Sequence, residues 1–94
     1  MPSEMFNPPH PGLVLRERIG EMNITHLAKH LGVSRVTLSK ILNCKAGISA
    51  DMSLRLAEAF GMSPSIWFDM QTNYEMWQAK HKRRPRIGRF DIAA

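Results

Sequence analysis

The 94-residue sequence holds a single cysteine, so no disulfide can close within the chain and the expected compartment is a reducing cytoplasm. One cysteine and four scattered histidines also lack the ligand spacing of a structural zinc site. No apolar run approaches the length that spans a bilayer, and no basic-then-apolar leader opens the chain. There is no glycine-rich phosphate loop, no paired-carboxylate motif, no internal repeat and no low-complexity block. These absences point away from an enzyme, a cofactor and a membrane partner. What remains, at 44% hydrophobic and 22% charged, reads as one globular domain with a core of modest size.

A further absence is local. Residues 22–50 contain no acidic side chain, and Lys29, Arg35, Lys40 and Lys45 make them +4. Residues 1–21 are −1, with Glu4, Glu17 and Glu21 against two arginines, and residues 51–79 are −3. Residues 80–94 are +5. A basic stretch set into a neutral or acidic body is the electrostatic footprint of a phosphate-contacting face.

That basic stretch has helical periodicity on both sides of a turn. Leu27, Ala28 and Leu31 form one apolar stripe, and Leu38, Ile41 and Leu42 form another. Gly32 between them suits the positive φ that ends a helix, and Ser34 suits the N-cap of the next. Ala28 is small where two steeply crossing helices must approach. The layout predicts a helix-turn-helix whose second helix enters a DNA major groove. Its remaining residues, Arg35, Val36, Thr37, Ser39 and Lys40, are short, polar or basic and suited to base edges and phosphates.

Around this centre the chain predicts about five helices and an all-α fold. Met1 to Pro9 reads as an extended arm, because Pro8, Pro9 and Pro11 disfavour helix before them. A first helix runs from near Pro11 to near Met22, burying Leu15, Ile19 and Met22 and leaving Arg16 and Glu17 solvated. Thr25 is the expected N-cap of the second. A fourth helix starts near Ser49 or Asp51, buries Met52, Leu56, Ala57 and Phe60, and stops at Gly61. Ile48 plugs the core before it. A fifth starts at Ser63-Pro64, with Ile66, Trp67, Met70, Tyr74 and Trp77 as its stripe. Leu54, Ala59, Phe68 and Met76 fall on other faces and form the candidate dimer surface, unless the arm covers them. From Lys80 the run KHKRRPRIGRFDIAA cannot stay helical. The expected division is a domain over residues 1–80 and a basic tail over 81–94.

No constellation in the chain predicts catalysis. His26 and His30 share a helix face at i, i+4, a spacing that can hold a metal, but no third ligand is nearby in sequence and phosphate is the better partner. Cys44 carries no nucleophile signature.

Three stretches, NPPHPGLVLRERI, LAKHLGVSRVTLSKILN and GISADMSLRLAEAFGMSPSIWFDMQTNYEMWQA, resemble the HigA-type antitoxins, a branch of the Xre or lambda-repressor-like helix-turn-helix proteins. The resemblance spans roughly residues 6–80. It implies a five-helix DNA-binding domain that dimerises, reads inverted operator half-sites, represses its own operon and neutralises a RelE-like mRNA-cleaving toxin. It puts Ser34, Arg35, Val36, Ser39 and Lys40 on base edges or nearby backbone, and Thr25, Thr37, Asn43 and Lys45 on phosphates. Cys44 departs from the family, which commonly has Gly there. Either Asn43 takes a positive φ in its place or the loop differs. The basic tail is a second departure. Two other readings stay open: a stand-alone repressor with no toxin partner, and a protein-interaction module that keeps the helix-turn-helix only as scaffold.

Overall fold

The computed structural model describes residues 7–92, and among these are five helices and no strand. They are α1 (Pro11–Ile19), α2 (Ile24–Leu31), α3 (Arg35–Leu42), α4 (Ala50–Phe60) and α5 (Pro64–Lys80). The first six residues of the expected arm, Glu4 included, lie outside the described residues. No helix among those described is long and apolar enough to cross a membrane.

Helix ends follow local chemistry. Side chains of Asn23, Ser34 and Ser49 cap α2, α3 and α4, each accepting from the backbone N–H three residues on. The cap of α2 is therefore Asn23 and not Thr25, which sits inside the first turn. Asn is as good a cap as Thr or better, and it lies where the chain is still extended. Helix α1 stops at Ile19, earlier than expected, because Gly20 turns the chain at φ 58°. Met22 is consequently outside the helix and 46% exposed. Ser63 holds the N-cap position of α5 but makes no cap bond; its hydroxyl pairs with that of Ser65 at 3.1 Å.

Helices α2, α3 and α4 close with the same backbone bond. The second residue past the end of α2 and α4, and the third past the end of α3, donates to a carbonyl five residues back: Val33 to Ala28, Met62 to Ala57 and Lys45 to Lys40. This closure needs a left-handed residue just before that donor. Gly32 supplies it at φ 75° and Gly61 at φ 67°. For α3 the residue is Cys44, at φ 60°, while Asn43 keeps φ −95°. The closing bond thus forms without a glycine, and the strain falls on Cys44 itself.

The core gathers Leu15, Ile19, Leu27, Ala28, Leu31, Leu38, Ile41, Leu42, Ile48, Met52, Leu56 and Trp67. Trp67 is fully buried, and its indole N–H meets no acceptor. Burying about 200 Å² of indole contributes ~5 kcal/mol, against ~1–3 kcal/mol for the unpaired N–H, so packing wins. Phe60 is half-buried against this core. Ile66, expected inside, is 40% exposed, and the buried place one turn beyond Trp67 goes to Gln71. Gln71 Oε1 accepts from the Ile48 N–H at 2.8 Å and its Nε2 donates to Glu75 at 2.7 Å, which fixes the α3–α4 loop onto α5.

His10 is buried and caps α1: its Nδ1 accepts from the Gly12 N–H at 2.8 Å, and its ring meets Tyr74 edge-on at 4.9 Å. An accepting Nδ1 is unprotonated, so the ring is neutral. Burial pushes its pKa below the ordinary histidine value. The unfolded chain therefore takes up a proton that the folded chain refuses. The stability linked to His10 is complete above about pH 6.5, the unfolded value, and is lost progressively as pH falls from there toward the lowered folded value. Thermal melts from neutral to mildly acidic pH are expected to show a falling Tm, and His10→Asn, which can still cap, should flatten that fall. An equal slope in both proteins would remove His10 as the cause.

A second expectation concerns Cys44. A non-glycine residue in the left-handed region costs roughly 1–2 kcal/mol, and glycine adds back part of that as unfolded-state entropy. Cys44→Gly should stabilise by about 0.5–1 kcal/mol, read as a Tm rise of a few degrees in a domain of this size. A Tm that stays level or drops would show that the Cys44 side chain contributes more than its backbone costs.

Candidate nucleic-acid interface

The exposed side of α3 is built by what its other side buries. Leu38, Ile41 and Leu42 face the core, so Arg35, Val36 and Lys40 must face out, with Val36 64% exposed. Ser39 lies half-buried at the edge. Arg35, Val36, Ser39, Lys40, Asn43 and Lys45 together line one shallow open groove. All six are among the residues expected from the sequence, and no carboxylate joins them. The groove is therefore basic with one apolar side chain, Val36.

Two hydrogen-bonded groups set the ends of this surface. At the start of α3, Ser34 Oγ accepts from the Thr37 N–H at 3.0 Å and donates to Thr37 Oγ1 at 2.8 Å. The Thr37 hydroxyl proton stays available to an acceptor outside the protein. At the far end, Asn43 Nδ2 donates to Ser39 Oγ at 3.2 Å, and Asn43 Oδ1 accepts from Arg16 at 3.1 Å. Arg16, expected to be merely solvated, thus carries its charge from α1 to the end of α3. Its separation of 27 residues from Asn43 leaves no local signal in the sequence. Thr25 is exposed in the first turn of α2 and does not line the α3 groove.

The turn between α2 and α3 is held from α4. Arg55 Nη1 donates to the Leu31 carbonyl at 2.7 Å, and its Nε pairs with Asp51 at 2.7 Å. One arginine satisfies a carbonyl at the end of α2 and is itself aimed by a carboxylate one turn earlier on its own helix. The recognition surface is in this way fixed at its front by α4 and at its back by α1.

Other expected residues lie elsewhere. His26 and His30 line an open groove with Met22, Leu27, Lys29 and Phe60, between α2 and the end of α4. No group of three metal-capable side chains occurs among the described residues. On the last two helices Leu54, Phe68 and Met76 are 50%, 45% and 53% exposed, whereas Ala59 is half-buried against the core and adds least to an open face.

Comparison with known proteins accords with this geometry. A helix-turn-helix family model matches residues 15–67. The chain is 45% identical over 80 residues to virulence-associated protein A' of Dichelobacter nodosus, covering 82% of this chain and 70% of that protein. Among solved structures, an addiction module antidote protein of the HigA family from Coxiella burnetii superposes with a TM-score of 0.76 at 39% identity, covering 79% of this chain and 84% of the other. The Pseudomonas aeruginosa antitoxin HigA with higBA promoter gives a TM-score of 0.71 at 34% identity, covering 85% and 99%. A lambda-repressor-like arrangement of five helices, a helix-turn-helix at its centre and these likenesses together make the chain a member of the Xre-like helix-turn-helix family, in its HigA group.

Proposed function

We propose that the chain is a DNA-binding antitoxin that represses its own operon as a dimer and neutralises a RelE-like mRNA-cleaving toxin. The observation that carries the DNA half is the α3 groove: six side chains, three of them basic and none acidic, on the outer face of α3 and the loop that closes it. The HigA relative with promoter supports it.

Within that reading Arg35 reads a guanine edge from the first turn of α3, with Ser34, Val36, Ser39 and Lys40 on neighbouring bases or backbone. Thr25, Thr37, Asn43 and Lys45 take phosphates. Because Asn43 is already bonded to Arg16 and Ser39, Arg16 joins this set and supplies the charge that Asn43 lacks. A small helix-turn-helix buries too little surface alone, so two copies read two half-sites about 34–36 Å apart or a multiple of it. Leu54, Phe68 and Met76 offer the apolar surface for pairing.

Bidentate recognition of guanine is worth about 1–3 kcal/mol of discrimination. Arg35→Ala should lower the preference for operator over random DNA by roughly ten- to a hundredfold, while Lys45→Ala weakens both DNAs alike. In the same titration Phe68→Glu should bind as separate monomers. Equal losses on both DNAs for Arg35→Ala would remove it from base readout, and a Phe68→Glu protein that sediments as wild type would move the interface elsewhere.

The antitoxin half rests on the HigA likeness and on charge. An RNA-cleaving partner needs basic surface, and residues 51–79 offer −3 to meet it while the basic α3 region stays with DNA. Docking on the N-terminal arm and α1, or on the acidic last helices, should bury at least about 1,000 Å² and lose on-rate with added salt. Co-expression with the product of the adjacent gene should give growth rescue and a complex that still binds operator. No toxic or binding product would leave a repressor without a toxin; loss of the complex in a folded Arg35→Ala protein would put neutralisation on the DNA face.

A further inference from the structure

We infer that residues 82–92 are a second DNA-contacting element, an extended arm that lies in a minor groove beside the half-site read by α3. The inference rests on the DNA-binding reading above, but the groove, the residues and the chemistry are different.

Charge is the first support. The protein is +5 overall, and residues 80–94 alone are +5, so residues 1–79 balance to zero. The net attraction of the chain for a polyanion at long range therefore comes from its tail. Backbone shape is the second. Helix α5 stops at Lys80, where the His81 ring stacks on Trp77 at 4.2 Å and its Nδ1 meets the Trp77 carbonyl at 2.8 Å. Beyond it residues 83–92 run without regular structure, every one exposed. Pro85 prevents the helix from resuming. A minor groove about 6 Å wide excludes a helix but admits an extended chain.

Residue choice is the third support. Four of the basic residues in this segment are arginines, at 83, 84, 86 and 89. Arginine is more weakly hydrated than lysine and is the side chain drawn into narrow minor grooves. Ile87 and Phe90 are interspersed with them and are 77% and 82% exposed. A tail that only solvates has no use for such side chains, whereas minor-groove proteins set apolar wedges against base steps beside their arginines. The segment is long enough to follow a groove: eleven extended residues at about 3.3 Å each span ~36 Å, one turn of duplex.

The test compares the full chain with a variant carrying Arg83→Ala, Arg84→Ala, Arg86→Ala and Arg89→Ala together. None of these side chains is buried, so both proteins should melt alike. Binding is measured by anisotropy across about 50–200 mM salt, on the duplex upstream of its own coding region and on random duplex. The plot of log affinity against log salt should become shallower by about 0.9 for each phosphate no longer neutralised, up to ~3.6 for four. Saturating the duplex with netropsin, a minor-groove ligand, should weaken the full chain to the level of the variant and leave the variant unchanged. Equal slopes overturn the arm. So does a slope change without netropsin sensitivity, which would put the arginines on backbone phosphates outside the groove. Loss of a protein partner with DNA binding intact would reassign the tail to that partner. Because arm contacts tolerate sequence, the slope difference must appear on random duplex as well. A protein with no operator preference therefore sinks the repressor reading alone, and a tail variant with intact preference and slope sinks the arm alone.

Discussion

The recognition surface depends on how closely the backbone of α1 approaches that of α3. A Cβ on Gly12 would collide with the Ile41 carbonyl oxygen, so only glycine allows the approach. Two side chains of the same segment fix α1 on either side of that approach, one against α5 and one at the end of α3. His10 closes the first turn of α1 against Tyr74, and Arg16 reaches the Asn43 side chain at the end of α3. A larger residue at position 12 would push α1 off α3, cost about 1–3 kcal/mol in overpacking and withdraw Arg16 at the same time. Stability and the charge at the far end of the groove thus share one close approach of two backbones.

The other end of the helix-turn-helix depends on α4. A helix that stops short leaves its last carbonyls without partners, and water or a neighbouring donor must satisfy them. At the end of α2 the donors are the Gly32 and Val33 N–H groups and the Arg55 guanidinium. Arg55 comes from 24 residues away, and its bond to Leu31 makes the turn part of the body rather than a free corner. In the proposed reading α3 meets base edges, and such a helix gains from being held at both ends, since looseness there passes directly into readout.

What is legible in the sequence is what short-range chemistry decides. Gly32 at a left-handed cap, Ser34 as an N-cap, a helix start near Ser49, Gly61 as a stop and Pro64 in a first turn all act on neighbours within a few residues, and each sits where expected. The buried faces of α2, α3 and most of α4 follow from spacing alone. Much of what spacing does not reveal is long-range. Gly12 against Ile41, Arg16 with Asn43, Arg55 with Leu31 and Gln71 with Ile48 join residues more than 20 positions apart, where polar side chains look like ordinary solvated ones. Met22 departs from its expected burial because a single φ at Gly20 overrides an apolar spacing that continues past it. Cys44 shows the reverse case, in which the closing hydrogen bonds of a helix hold the backbone in place although the residue disfavours it.

Helix α5 marks where periodicity stops being informative. Its apolar residues go round the helix: Trp67 and Tyr74 face the body, Ile66 and Phe68 lie on opposite flanks, and Met76 is more than half exposed. A helix apolar on several sides has no single stripe, so spacing cannot separate a core position from an interface position. Spacing puts Ile66 inside and the fold puts it outside, while polar Gln71 is buried because the Ile48 N–H needs an acceptor. Hydrogen-bond satisfaction decides the inner face, and the apolar residues left over become surface. Phe68 and Met76 of α5, like Leu54 of α4, are large apolar side chains left in water. Their exposure follows from α5 serving two environments, the core through Trp67 and Gln71 and the outside through its flanks. The same helix ends by releasing the basic tail, so the body, the open apolar face and the charge of the chain meet along one element.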